Sequence, residues 1–163
     1  MNEKYYIAYG SNLSLSNMKA CCPSAKKAGV TQIVDYELLF KGNRGHFFLT
    51  IEPKKGSIVP AGIWKIAGSD QRQLDRYEGY PTLYYKTTME LPMGSLTAGN
   101  IILVTAFVYI MYEDFPCGVP DKRYYNICLN GYDDFGFNPK YLKRAVETSR
   151  QRAEGKELKE NKE

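Results

Sequence analysis

An α+β domain built on a small mixed β-barrel, or at least a strongly curled sheet, with flanking helices is what the sequence predicts. Three observations predict it: six strand-like stretches separated by turn residues, only four helix-like ones, and a size that one hydrophobic core can fill. At 163 residues with 44% hydrophobic and 25% charged residues, the composition is that of a globular protein and not of a disordered or fibrous one. A single domain over residues 1–154 is therefore expected. The alternating charges of 155–163 lack an apolar anchor and predict a frayed or disordered tail.

Residues 4–9, KYYIAY, are aromatic and β-branched and stop at Gly10, which reads as a first strand entering a loop. Ser14 or Ser16 can cap a short helix to about Cys21, and Pro23 prevents its continuation. Strand-like stretches follow at roughly 27–40, 46–52 and 58–66. They are separated by Gly42-Asn43-Arg44-Gly45 and by Pro53-Lys54-Lys55-Gly56-Ser57, both of which carry turn chemistry and predict antiparallel hairpins.

A helix is expected from Ser69-Asp70 to Gly79, with Pro81 stopping it. Two long strands are expected at about 83–91 and 101–111, joined by the glycine-containing stretch 92–100. The second, IILVTAFVYIM, is too short to span a bilayer and reads as a strand buried on both faces. A helix over about 121–131 comes next, and Asn138-Pro139 opens the last one as cap and first helical residue.

Several function classes recede on composition. The charged start and short apolar run of the first twelve residues do not make a signal peptide, so the cytosol is the expected location. Cys21, Cys22, Cys117 and Cys128 contain no C-x-x-C pair and read as reduced structural thiols. The net charge of +4 is spread among acids, and the pairs Lys26-Lys27 and Lys54-Lys55 read as solvated turns, so neither a nucleic acid nor a membrane is an expected partner. His46 is the sole histidine, which removes Ser-His-Asp chemistry and most zinc sites and leaves a carboxylate as the natural acid/base.

Two segments could carry chemistry. Tyr9-Gly10-Ser11-Asn12-Leu13 sits where a strand hands over to a helix; its successive N–H groups could cradle a carboxylate or an oxyanion, or the segment could be a plain capped turn. Glu78, in Leu74-Asp75-Arg76-Tyr77-Glu78-Gly79, falls in the last turn of its helix, where the dipole's negative end disfavours a carboxylate. Partial burial among tyrosines would raise it further and make it a tuned proton carrier, or it could be an exposed helix-end residue. Asp75, three residues before Glu78, reads as a helix-surface charge. Asp133-Asp134 lack calcium-loop spacing, and Phe135 and Phe137 read as loop packing.

Taken together, Y-G-S-N-L after the first strand and L-D-x-x-E-G closing a later helix resemble the γ-glutamyl cyclotransferase (AIG2-like) family. The resemblance runs from residue 4 to about 145 through Gly62-Ile63-Trp64-Lys65, Tyr84-Tyr85, Tyr109, Pro120 with Tyr124, and the stretch from Tyr132 to Tyr141. It implies a small β-barrel and a cofactor-free cyclisation of a γ-glutamyl compound to 5-oxoproline, with release of an amine or amino acid. Glu78 would then be the general acid/base. The backbone N–H groups of Gly10, Ser11, Asn12 and Leu13 would hold the carboxylate and oxyanion, and Tyr9, Tyr85 and Tyr109 would wall the pocket. No metal is implied, the partner is a small γ-glutamyl substrate, and the chain would act as a monomer or homodimer. The Ala98-Gly99 connection, the loop 116–120 and the DDFGF stretch differ among relatives, so a γ-glutamylamine substrate, or a module that only binds a carboxylate metabolite, stays open.

Overall fold

The computed structural model describes residues 3–95 and 99–161, with side chains to residue 155. The chain runs β1 (Lys4–Ala8), a 3-10 turn (Ser11–Leu13), α1 (Leu15–Cys21), β2 (Lys26–Asn43), β3 (His46–Ile66), α2 (Gly68–Tyr77), β4 (Tyr84–Gly94), β5 (Ile101–Met111), α3 (Lys122–Phe135) and α4 (Lys140–Asn161). The five strands close into a barrel in the order β1-β3-β2-β4-β5. Every neighbouring pair is antiparallel except β1 with β5, which closes the barrel in parallel register, Tyr5 beside Ala106 and Tyr6 beside Phe107.

The core is supplied by strand stretches buried at successive positions, Val59–Trp64 on β3 and Ala106–Met111 on β5, so that both faces are covered there. Ile101, Ile102 and Leu103 at the start of β5 are exposed. The β2–β3 turn is made by Arg44 (φ 52°) and Gly45 (φ 80°), two consecutive left-handed residues whose twist matches a tight hairpin. Among the described residues no helix is long and apolar enough to cross a membrane.

Two expectations are corrected. Pro53–Ser57 does not reverse the chain: β3 passes straight through it, and the ladder steps from Tyr36 opposite Pro53 to Val34 opposite Ile58. Asp35, at φ 63°, faces the extra residues and accepts the Gly56 N–H at 2.9 Å, so the same turn-forming residues build a bulge that bends a continuous strand pair. Asp133 and Asp134 are not in a loop; α3 extends to Phe135 and ends on left-handed Gly136, and Asp134 accepts the Leu15 N–H that opens α1 at 2.9 Å. The backbone of α4 stays helical to Asn161, into the stretch expected to fray. Ala98, in the connection read as variable, lies outside the described residues.

The segment after β1 is held from two sides. The Trp64 indole N–H donates to the Asn12 carbonyl at 3.0 Å, and α3 lies directly on the backbone of residues 13–14. A β-carbon at Gly131 would stand 2.6 Å from both Leu13 Cβ and Ser14 N, contacts that no rotamer relieves. Gly131→Ala is therefore expected to destabilise the protein by about 2 kcal/mol or more, measured by denaturant unfolding. An unchanged midpoint would show that α3 does not clamp this loop.

Candidate active site

The carboxylate is positioned by the way α2 ends. Asp70 accepts the Ala67 N–H at 3.1 Å and the Ser24 hydroxyl at 2.8 Å, fixing the start of the helix. At the other end Gly79 N–H bonds the Arg76 carbonyl (3.2 Å) and Tyr80 N–H bonds the Asp75 carbonyl (2.9 Å), the paired bonds of a Schellman motif. Gly79 takes the left-handed φ of 64° that this motif needs. Glu78 is thereby held as the last residue before the reversal.

Its side chain enters a narrow cavity lined by Tyr6, Ile7, Tyr9, Gly10, Ser11, Asn12, Leu49, Tyr84, Tyr109 and Tyr124 as well as by Glu78 itself. Glu78 as a residue is only half-buried, because its backbone is at a helix end, but its carboxyl group is enclosed. Burial is the main cause that pushes this carboxyl up to about 8; the Cys21 thiol adds to the rise, and the Tyr6 hydroxyl opposes it. Two larger recesses, of about 860 and 830 Å³, contain neither Glu78 nor the loop, so size does not mark this site; the enclosed acid does.

The loop meets Glu78 through Asn12. Its Nδ2 lies 3.0 Å from the Tyr6 hydroxyl and 3.4 Å from Glu78 Oε1, while its Oδ1 accepts from Asn17 Nδ2 at 2.9 Å. Ser11 Oγ and the Tyr77 hydroxyl are 2.9 Å apart, which ties the loop to the last turn of α2. The Leu13 N–H is used by the Gly10 carbonyl at 3.1 Å, and Ser14 N–H by Ser11. The N–H groups of Gly10, Ser11 and Asn12, which precede the first bonded turn, are the ones available to an anion.

Of the residues singled out in the sequence, Tyr9, Gly10, Ser11, Asn12, Glu78 and Tyr109 share one cavity, whereas Leu13 and Tyr85 do not line it. Leu13 is fully buried in the core. Tyr85 donates to the Glu113 carboxylate at 2.5 Å and packs on Tyr112. The neighbouring Tyr84 lines the cavity instead and donates to the Leu49 carbonyl at 2.7 Å. Tyr6 and Tyr124 were also missed, so five of the 14 tyrosines wall this one cavity, and the tyrosine excess was the signal that could have found them.

Fold and site define an α+β barrel with an enclosed carboxyl group. A family model described as "Gamma-glutamyl cyclotransferase, AIG2-like" matches residues 6–127, and the chain belongs to this family, a class of cyclotransferase enzymes. The fold is similar to a solved structure of a gamma-glutamyl cyclotransferase (24% identity, 88% of this chain and 86% of the other covered, TM-score 0.72). It is equally similar to an uncharacterised Homo sapiens protein (24%, 89% and 87%, TM-score 0.72). A third similar structure is a yeast gamma-glutamyl cyclotransferase specific to glutathione (10%, 91% and 96%, TM-score 0.63). No curated protein matches the chain.

Proposed function

We propose that this protein converts a γ-glutamyl compound to 5-oxoproline and releases the amine or amino acid borne by the γ-carbonyl, with Glu78 as general acid and base. The observation that carries the reading is the enclosed Glu78 carboxyl in one cavity with Gly10, Ser11 and Asn12, whose N–H groups precede the first bonded turn and have no partner shown among the described residues. A carboxyl pushed up to about 8 holds a proton near neutral pH yet exchanges it readily. Its ionised form takes a proton from the substrate α-ammonium, and the freed nitrogen attacks the γ-carbonyl carbon. The new C–N bond forms first and gives the tetrahedral oxyanion. The proton on Glu78 then goes to the departing nitrogen as the old C–N bond breaks, and the second proton shed by the ring nitrogen leaves on the released amine, so Glu78 ends as it began.

The attack is intramolecular, so the remaining task is to hold the folded conformer and stabilise the tetrahedral oxyanion. The N–H groups of Gly10, Ser11 and Asn12 suit that charge, and Tyr9 and Tyr109 suit the walls. The expected setting is the cytosol, where the four free cysteines would stay reduced. The test is release of 5-oxoproline from a panel of γ-glutamyl amino acids and γ-glutamylamines. Turnover on one class names the leaving group; retention of a ligand with no product from either class would overturn catalysis in favour of a binding module.

A further inference from the structure

One part-buried polar chain beside the cavity, Tyr109–Asp75–Lys86, contributes no proton to the mechanism above. The Tyr109 hydroxyl, from β5, donates to Asp75 Oδ1 at 2.5 Å, and Lys86 Nζ, from β4, lies 3.0 Å from Asp75 Oδ1 and 3.2 Å from Oδ2. Lys86 is packed in turn over the Tyr80 ring, 4.2 Å from its centroid, just beyond the end of α2. Asp75 and Lys86 retain only 27% and 20% side-chain exposure, so this is not a solvated surface pair. Tyr109 is the member that lines the cavity, and its ring is fixed edge-on against both Tyr6 and Phe107.

The chemistry follows from counting protons. A phenol has one O–H, and Tyr109 spends it on Asp75, so the same oxygen can offer the cavity only its lone pairs. Burial and the adjacent Asp75 carboxylate push the Tyr109 phenol well above its ordinary range, so this oxygen keeps its proton at physiological pH. A lone-pair oxygen suits a cationic nitrogen and repels a carboxylate.

We propose that Asp75 is a positioning residue: by accepting the Tyr109 O–H hydrogen bond, with Lys86 fixing its carboxylate, it turns Tyr109 into an acceptor for the α-ammonium of the substrate, and so selects γ-glutamyl compounds whose α-amino group is free. This rests on the reading of the site given above and deepens it. Tyr109 steers the nitrogen that Glu78 deprotonates, and the direction of one hydrogen bond sets the specificity.

The experiment uses the full chain carrying Glu78→Gln, so that bound ligand is not consumed, and compares affinity for L-glutamine, a γ-amide with an α-ammonium, with glutaramic acid, which lacks it. The preference for glutamine is expected to fall roughly tenfold to a hundredfold in Asp75→Ala. It should fall equally in Tyr109→Phe, with no further loss when the two are combined. Asp75→Asn, which keeps an acceptor oxygen, should retain most of the preference and controls for folding. Additive losses, equal weakening of both ligands, or no preference in the parent would each overturn the proposal. Failure of the wild-type protein to release 5-oxoproline would instead remove the catalytic reading while leaving the ligand preference to decide the role of Asp75.

Discussion

Glu78→Gln is expected to lower kcat/KM for 5-oxoproline release by roughly a hundredfold to ten-thousandfold, the range that a positioned acid/base contributes. The substitution keeps the length and shape of the side chain and an oxygen within reach of Asn12 Nδ2, which lies 3.4 Å from Glu78 Oε1. What it removes is the exchangeable proton. The loss should therefore fall on kcat and spare substrate affinity, because the loop N–H groups and the tyrosine walls are untouched. A variant within a few-fold of wild type would show that Glu78 is a wall residue and that the substrate loses its proton to water.

Much of this site was legible because its two halves are specified locally. Gly79 and Pro81 fix where α2 must stop, which puts Glu78 at the helix end, and Gly10 fixes where β1 becomes a loop. The direction of the Glu78 shift was legible from the dipole end of α2 and from partial burial among tyrosines, and burial is the larger cause. Which strands supply the cover was not, because spacing along a helix cannot report it.

Tyr84 and Tyr85 show a second limit. Adjacent strand residues face opposite sides, so a pair of tyrosines leaves open which one reaches the cavity until the register with β5 is known. Asp75 shows a third: three residues from Glu78 it looks like a surface charge, and only the fold brings Tyr109 and Lys86 to it. The bulge at Pro53–Ser57 misled for a related reason, since glycine and proline punctuate bulges and reversals alike.

Glu78 should also leave a mark on stability that needs no substrate. Its carboxyl ionises near 4.5 in the unfolded chain and at about 8 in the folded one, so between those values the folded state binds the extra proton. Stability must then fall as pH rises through this window, and the penalty is complete above about pH 8. Three to four pH units at about 1.4 kcal/mol each make it of the order of 4–6 kcal/mol. Glutamine does not titrate, so Glu78→Gln is expected to unfold at progressively higher denaturant than wild type as pH increases from 5 to 9, with the difference levelling off near 8. A difference that stays constant over that range would mean that the carboxyl is solvated, and with it would go the argument that burial prepares Glu78 to carry a proton.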